Sequence, residues 1–333
     1  MSTSAADQRI RRLRPPKPHV DPYAAHGSLL EEERRPDGRL ERALTVFLAG
    51  AECPFTCSFC DLWRFTIDGP TPNGALSRQL ASVLQAVSGP VPDRLKLYNA
   101  SNFFDQRAVP PEDLLGLAAL AAPFAAVTVE SHANTIGPKT LDFVRRIPGG
   151  LEVAMGLETI HSVAAAQLNK RLDLSRFDWA AHFLSENGVD LRVFVLLGAP
   201  HVPFEESVEW TVRTVQYAVE RGASVVSIIP VRGGNGEMER LHALGQFTPP
   251  TLSQLEDAID RCLQFTGATT TAIHHRGTEV TENCNCVVTA DLWDVERLPG
   301  CEHCRAARIE RLRRLNVTGR AESRIACSVC ERA

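Results

Sequence analysis

The residues with the most chemistry in this chain lie between Glu52 and Trp63, in the stretch ECPFTCSFCDLW. Cys53, Cys57 and Cys60 stand at Cys-x3-Cys-x2-Cys spacing directly after the apolar run ALTVFLAG (43–50), which reads as a buried strand. The thiols therefore sit on a loop at a strand end, where they can converge on one soft metal centre. A tetrahedral zinc or an electron-transfer cluster asks for a fourth ligand, and here the local count stops at three. Three thiolates on a cubane leave one iron open to a small molecule, which a catalytic cluster needs and a structural one avoids. The competing reading is a zinc knuckle completed by a distant residue.

The elements that must position this loop alternate regularly. Apolar strands are expected at ALTVFLAG (from Ala43), RLKLYNA (from Arg94), AVTVES (from Ala126), LEVAMGLE (from Leu151), LRVFVLLGAP (from Leu191) and SVVSIIPV (from Ser224). Amphipathic helical runs separate them, among them SRQLASVLQAV (from Ser77), PEDLLGLAALAA (from Pro111) and EESVEWTVRTVQYAVERG (from Glu205) with its glycine stop at Gly222. Near-continuous apolar strands alternating with helices indicate an α/β fold with a parallel sheet. About six such units make a partial (β/α)6 barrel of the TIM type. In such barrels chemistry gathers at the carboxyl ends of the strands. Those ends carry the cysteine loop, Tyr98-Asn99-Ala100-Ser101-Asn102, Glu130-Ser131-His132, Gly156-Leu157-Glu158-Thr159 and Arg232-Gly233-Gly234-Asn235-Gly236. His132 reads more readily as a hydrogen-bonded wall residue than as an acid or base. The glycines at 233–236 read equally as a tight loop or as a backbone nest for an anion. The aromatics of NFFD (102–105) read as a plug of the barrel or as a stacking platform, with the plug favoured.

Composition excludes several classes. Hydrophobic content of 44%, charged content of 23% and a net charge of −4 describe an ordinary globular chain and supply no strongly basic balance for nucleic acid. No apolar run approaches the roughly 20 residues that span a bilayer, so no membrane association is expected. The N-terminal MSTSAADQRIRRLRPPKPHV lacks the apolar segment of a secretory signal and reads as a polar, surface-draped arm, followed by a hairpin turning at Pro36-Asp37-Gly38. Ten cysteines crowded into metal-like clusters, in a chain too long to need staples, point to a reducing cytoplasm. The expected organisation is an arm and hairpin at 1–42, the barrel at 43–240 and a helical, cysteine-rich module at 241–333.

At Cys53, Cys57 and Cys60, with the aromatic Phe59 before the third cysteine, the chain resembles the radical S-adenosylmethionine (SAM) enzymes. MGLETIHSVAAAQLNKR followed by RVFVLLGAP resembles the branch that includes the methylthiotransferases, the anaerobic coproporphyrinogen oxidases and the Elongator-type enzymes. The resemblance implies a 4Fe-4S cluster on the three cysteines and SAM chelated at the open iron. It implies reductive cleavage to a 5'-deoxyadenosyl radical that abstracts hydrogen from substrate, with electrons from a donor such as flavodoxin or ferredoxin. It assigns Glu158 to the SAM ribose and Arg171, with Lys170 as competitor, to the SAM carboxylate. Where many relatives carry Gly-Gly-Glu after the second strand, this chain has Asn99 and Ser101, substitutes by position for the SAM amino group. An acidic residue used by some relatives on the fifth strand is replaced by Phe194.

A second group of thiols closes the chain: Cys284 and Cys286, then the pairs Cys301/Cys304 and Cys327/Cys330, 22 residues apart. Two Cys-x2-Cys pairs signal a four-thiolate site. The alternatives are a structural zinc on the two pairs and an auxiliary iron-sulfur cluster that also draws on Cys284 or Cys286. Crowding beside a cluster-dependent enzyme favours the auxiliary cluster. TTTAIH (from Thr269) reads as a further strand. Between the pairs, RAARIERLRRLN (305–316) is a basic helix that would be the best local contact for nucleic acid, although a solvated face is the simpler reading. The expected activity is radical chemistry on a small biosynthetic molecule, with a tRNA-modifying enzyme and a non-catalytic iron-sulfur or zinc scaffold as alternatives.

Overall fold

The computed structural model describes residues 4–266, 269–273, 279–283 and 286–330. The strands are β1 (Gly27–Arg34), β2 (Leu40–Phe47), β3 (Arg94–Tyr98), β4 (Ala126–Glu130), β5 (Gly150–Glu158), β6 (Asp190–Leu197), β7 (Ala223–Pro230), β8 (Thr269–Ile273), β9 (Glu279–Asn283) and β10 (Val287–Ala290). The helices are α1 (Ala5–Leu13), α2 (Ala75–Ala86), α3 (Pro111–Ala121), α4 (Pro138–Val144), α5 (Ser162–Gln167), α6 (Leu174–Glu186), α7 (Ser207–Glu220), α8 (Glu237–Ala243), α9 (Leu252–Thr266) and α10 (Arg305–Thr318). β1 to β7 and then β10 form one sheet, curled into a half-barrel with the helices on its convex face. All its pairings are parallel except β1 with β2, the hairpin expected around Pro36-Asp37-Gly38.

The strands alternate between two environments. Leu95, Leu97, Val127, Val129, Val153, Met155, Val193, Val195, Val226 and Ile228 join the main core under the helices. The intervening residues face the concave side, and in its lower half they are charged. Arg192 donates to Glu152 at 2.7 Å and to Glu33 at 2.9 Å, Arg35 pairs with Glu152 at 2.8 Å, Arg94 with Glu41 at 2.9 Å, and Lys96 with Glu31 and Glu33 at 2.9 and 2.5 Å. Glu152 is fully buried, yet its carboxyl is held well below its usual range: desolvation pushes it up, and the Arg192, Arg35 and Arg94 charges outweigh that. Burying these ions costs several kcal/mol each unless they are paired, so the antiparallel strand β1 supplies carboxylates to a floor built by β3, β5 and β6. The near-continuous apolar reading of these strands holds only for their outer face.

TTTAIH gives β8, but β8 pairs antiparallel with β9 as a separate two-stranded sheet. The barrel's last strand is instead β10, parallel to β7, whose four residues carry too little periodicity to show in the sequence. The open seam between the two edge strands is covered by α10, which packs on both β1 and β10. There the Asn316 amide mimics a strand: its Nδ2 donates to the Ala290 carbonyl and its Oδ1 accepts from the Ala290 N–H, both at 2.8 Å. This satisfies an edge that would otherwise invite pairing with another chain. No described helix is long and apolar enough to cross a membrane.

Candidate metal and cofactor site

The cysteine loop leaves the top of β2 and turns across the barrel mouth. Cys53, Cys57 and Cys60 line one concavity with Arg14, Glu52, Phe55, Trp63 and Ala100. Several contacts fix the loop. Ser58 N–H donates to the Leu168 carbonyl at 2.9 Å, Asn235 Nδ2 donates to the carbonyls of Ser58 and Cys60 at 2.8 and 3.3 Å, and Asn102 Nδ2 donates to Cys53 Sγ at 3.3 Å. Phe59 packs on the small core of Leu196, Ala199, Val231, Met238, Leu241 and Phe247. Burial raises all three thiols, Cys57 to about 12. Without a cation to balance them, thiolates are costly here.

The loop after β3 lies against this concavity. Glu130 Oε1 accepts from the backbone N–H groups of Asn99 and Ala100, each at 2.9 Å, and Ala100 adopts φ +53°. Asn99 is fully buried, yet its Oδ1 and Nδ2 and the Ser101 Oγ have no hydrogen-bond partner within the described residues. Orphaned buried polar atoms cost roughly 1–3 kcal/mol each, and such groups in a native fold call for a partner, be it ordered water, an ion or a ligand.

Across the mouth, β5 ends in a bulge between Gly156 and Glu158, with Glu158 at φ +69°. Lys170 Nζ donates to Glu158 Oε1 at 2.7 Å, and both side chains are nearly buried. Burial pushes the Lys170 ammonium down, but the charges of Glu158, Cys57 and Cys53 hold it above its ordinary range, so this cation faces the thiols. A Cβ at position 156 would lie 2.1 Å from Glu158 Oε1 and 2.7 Å from Lys170 Nζ, so the glycine makes the space for this pair. Asn169 and Arg171 are also left-handed, at φ +54° and +58°. Together with Ala100 and Glu158 they gather at the mouth, in a backbone region that non-glycine residues rarely adopt.

Arg171 points elsewhere. Its guanidinium bonds Asp7 of α1. The arm expected to drape over the surface is in part this helix, begun by a capping box between Ser4 and Asp7. Asp7 is buried and also accepts from Thr56 and from Asn169 Nδ2, the latter at 3.0 Å. Desolvation raises its carboxyl, and the Thr56, Asn169 and Ser4 hydrogen bonds hold it well below the usual range. Arg9 pairs with Glu237 at 3.1 Å, and Arg14 pairs with Glu52 at 2.8 Å and lies 4.7 Å from the Trp63 ring centre. Part of the basic run is thereby spent on docking α1 to the cysteine loop. Asp7 and Asn169 are site residues that sequence reasoning did not single out, whereas Asn102 and Asn235 appeared there only as members of their strand-end runs. Isolated asparagines carry no spacing signal, and Asp7 acts 49 residues from Thr56.

Other polar candidates are filled by the chain itself. His132 Nδ1 accepts from Asn134 N–H at 3.1 Å, which leaves Nε2 to donate to the Lys170 carbonyl at 3.1 Å. The ring stacks on Phe55 at 4.2 Å, as a wall residue does. The nest at Gly234 and Gly236 is occupied by Glu239, which accepts from both N–H groups. Phe103 and Phe104 are buried against Phe143. Between the charged floor and the mouth lies an aromatic layer: Tyr98 is 6.5 Å from both Phe47 and Phe194, and Phe47 is 6.1 Å from Trp293. Arg232 and Asp291 pair beside it at 3.3 Å.

Among the described residues, Cys301, Cys304, Cys327 and Cys330 each bring a sulfur within 4.8 Å of the others. Cys286 is outside that group, buried in the main core at the foot of β10, and Cys284 lies outside the described residues. The arginines of α10 do not form a free basic face: Arg305, Arg308, Arg311, Arg313 and Arg314 pair with Glu302, Glu256, Asp260, Glu310 and Glu322 respectively.

No family model matches the chain, and no curated protein matches it either. Among solved structures it is similar to the archaeal Methanocaldococcus infernus Elp3 with an N-terminal deletion, at 13% identity over 57% of this chain and 49% of that one, with a TM-score of 0.45. It is similar to a radical SAM methyltransferase from Sphaerobacter thermophilus at 16% identity, over 68% and 73% of the two chains, TM-score 0.44. Coproporphyrinogen III oxidase from Escherichia coli, a radical SAM enzyme, gives 13% identity over 79% and 55%, TM-score 0.45. The chain spans about half the length of the Elp3 and coproporphyrinogen oxidase structures. Likeness at this level assigns no activity, which must be sought in the mouth of the barrel.

Proposed function

We propose that this chain is a radical SAM enzyme acting on a small molecule held in the barrel lumen. The observation that carries the proposal is the mouth itself: three thiols share one concavity with Ala100, whose chain neighbours Asn99 and Ser101 hold buried polar atoms with no partner among the described residues. These residues fit a 4Fe-4S cluster on Cys53, Cys57 and Cys60 with SAM beside it. The bound pair would supply one-electron cleavage of the sulfonium and a 5'-deoxyadenosyl radical for hydrogen abstraction, with electrons from a flavodoxin- or ferredoxin-like donor.

The chain's own residues would do the positioning. Asn99 and Ser101 offer an acceptor and donors to the amino-acid end of SAM. Glu158, on its bulge, offers a carboxylate to ribose hydroxyls, and Lys170 holds it there while placing a positive charge opposite the thiolates. Arg171 would reach the SAM carboxylate only after Asp7 releases it, so Lys170 is the cation already in place. Phe59 supports the loop from behind. Substrate would rest on the layer of Phe47, Tyr98, Phe194 and Trp293, whose faces suit a flat or apolar body, while Arg232 and Asp291 offer polar contacts at its edge. The pairing of the α10 arginines gives a nucleic-acid substrate no support from that helix. Reduced thiols and an oxygen-sensitive cluster fit a reducing cytoplasm.

The test is anaerobic reconstitution, reduction with dithionite and assay of 5'-deoxyadenosine. The proposal expects SAM-dependent product from wild type and none from Cys57→Ala. Wild-type protein that binds iron and makes no product under any reductant would return the chain to the scaffold reading.

A further inference from the structure

We propose that Cys301, Cys304, Cys327 and Cys330 bind one zinc ion as a tetrahedral four-thiolate site, and that this ion staples the chain's tail over the helices that close the barrel seam. Four thiolates at about 2.3 Å from one zinc stand about 3.8 Å from each other. Cys304 Sγ and Cys330 Sγ are 3.7 Å apart, and all four sulfurs fall within 4.8 Å of one another. That is the span of a mononuclear site. A cubane would hold its thiolates apart around a body several ångströms across, and the expected auxiliary cluster has no room between these four. His303, inside the first pair, is not part of the group. The negative charge of a zinc tetrathiolate would lie beside two cations of α10, the Arg305 guanidinium interacting with Cys301 and Cys304 and that of Arg308 with Cys304 while they also pair with Glu302 and Glu256.

The path of the chain shows what the ion would hold. Cys304 precedes α10, whose far end at Gly319 lies against Arg34 of β1. The tail then returns along α9 and α10 to Cys327. On the way its carbonyls at Glu322 and Ser323 accept from the Arg311 guanidinium at 2.6 and 3.0 Å. Arg311 is only 1% exposed and pairs with Glu256 at 3.3 Å and Asp260 at 2.6 Å. Arg324 closes the tail onto Asp257 and Asp260 at 2.7 and 2.9 Å. A short tail with few buried apolar groups is thus asked to cover a buried charge, and a metal crosslink at its end fixes it there. Through α10 and Asn316 the same crosslink steadies β10, the strand that leads into Asp291 and Trp293.

The test uses full-length protein. Zinc measured on wild type is expected at about one per chain, and cobalt exchanged into it should give the intense visible absorption of a tetrahedral tetrathiolate, lost when zinc is added back. Cys304→Ser with Cys327→Ser should remove the zinc, leave the iron of reconstituted protein unchanged, and speed tryptic cleavage after Arg320 or Arg324 by about tenfold. The proposal is overturned if wild type holds no zinc and gives no such cobalt spectrum, if iron and sulfide rather than zinc fall in the double variant, or if zinc persists in it. The cobalt titration needs only wild type, so a variant that fails to fold does not shield the idea.

Discussion

The chain carries two groups of thiols that a count of cysteines would treat alike, and the protein builds them differently. The four at the C-terminus bring their sulfurs within 4.8 Å of one another. The three at the barrel mouth share a concavity with Ala100, between the unpartnered polar atoms of Asn99 and Ser101, and Lys170, paired with Glu158 at the end of β5, directs its charge toward them. Strain and unmet hydrogen bonds persist only where the surrounding fold over-determines them. On the proposals above, the four-thiol group would act as a crosslink, and the three-thiol group would take a cofactor.

The comparison can be broken most severely at the mouth. Alanine at Cys53, Cys57 or Cys60 should abolish SAM cleavage and iron uptake while leaving zinc at its wild-type level. Loss of both metals together would show that the groups are not independent. Next in size is the floor, where Glu152→Ala removes the buried carboxylate shared by Arg35 and Arg192, leaving Arg192 with Glu33 and Arg35 with Glu41 at 3.6 Å. It should cost about 3–5 kcal/mol of stability, read from urea denaturation. A loss under 1 kcal/mol would mean that water enters the lumen and that the floor supports little.

Gly156→Ala should act without unfolding the protein. Its Cβ displaces the Glu158–Lys170 pair, and SAM affinity should fall roughly tenfold, about 1.4 kcal/mol, in equilibrium dialysis of reconstituted enzyme. Unchanged affinity would remove Glu158 and Lys170 from the SAM site. The smallest effect is a titration. Burial raises the Glu130 carboxyl from 4.5 to about 7, against the N–H bonds of Asn99 and Ala100. A raised folded value means stability that is complete below about pH 4.5 and lost as pH rises through about 7. Glu130→Gln should flatten that part of the stability profile, and a profile that keeps its slope would place the titration on another group.

Legibility divided along the same line. The six parallel barrel strands, the hairpin before them and the polar ends of the strands were readable, because period-2 patterns, turn residues and paired cysteines are local signals. Phe103 and Phe104 neither plug the barrel nor form a platform at its mouth: they pack on Phe143 of α4 in the core under the helices. The closing strand β10 was too short to register. The charged floor was hidden because Arg94, Lys96, Glu152 and Arg192 are scattered through apolar runs, and only the curl of the sheet brings Lys96 and Arg192 together at Glu33 of β1. The docking of α1 rests on Asp7 meeting Thr56, Asn169 and Arg171, contacts between residues far apart in the chain that no local pattern announces. Spacing alone also could not separate zinc from a cluster at the C-terminus, because both use Cys-x2-Cys pairs. The zinc proposal rests instead on the distance between the sulfurs.

One measurement addresses the central claim most directly: anaerobic iron, sulfide and zinc content of reconstituted wild type beside the Cys53/Cys57/Cys60 triple alanine variant. The account predicts about four irons and four sulfides in wild type, none in the variant, and about one zinc in both. Iron and sulfide that remain in the variant, or a wild type holding zinc alone, would contradict it.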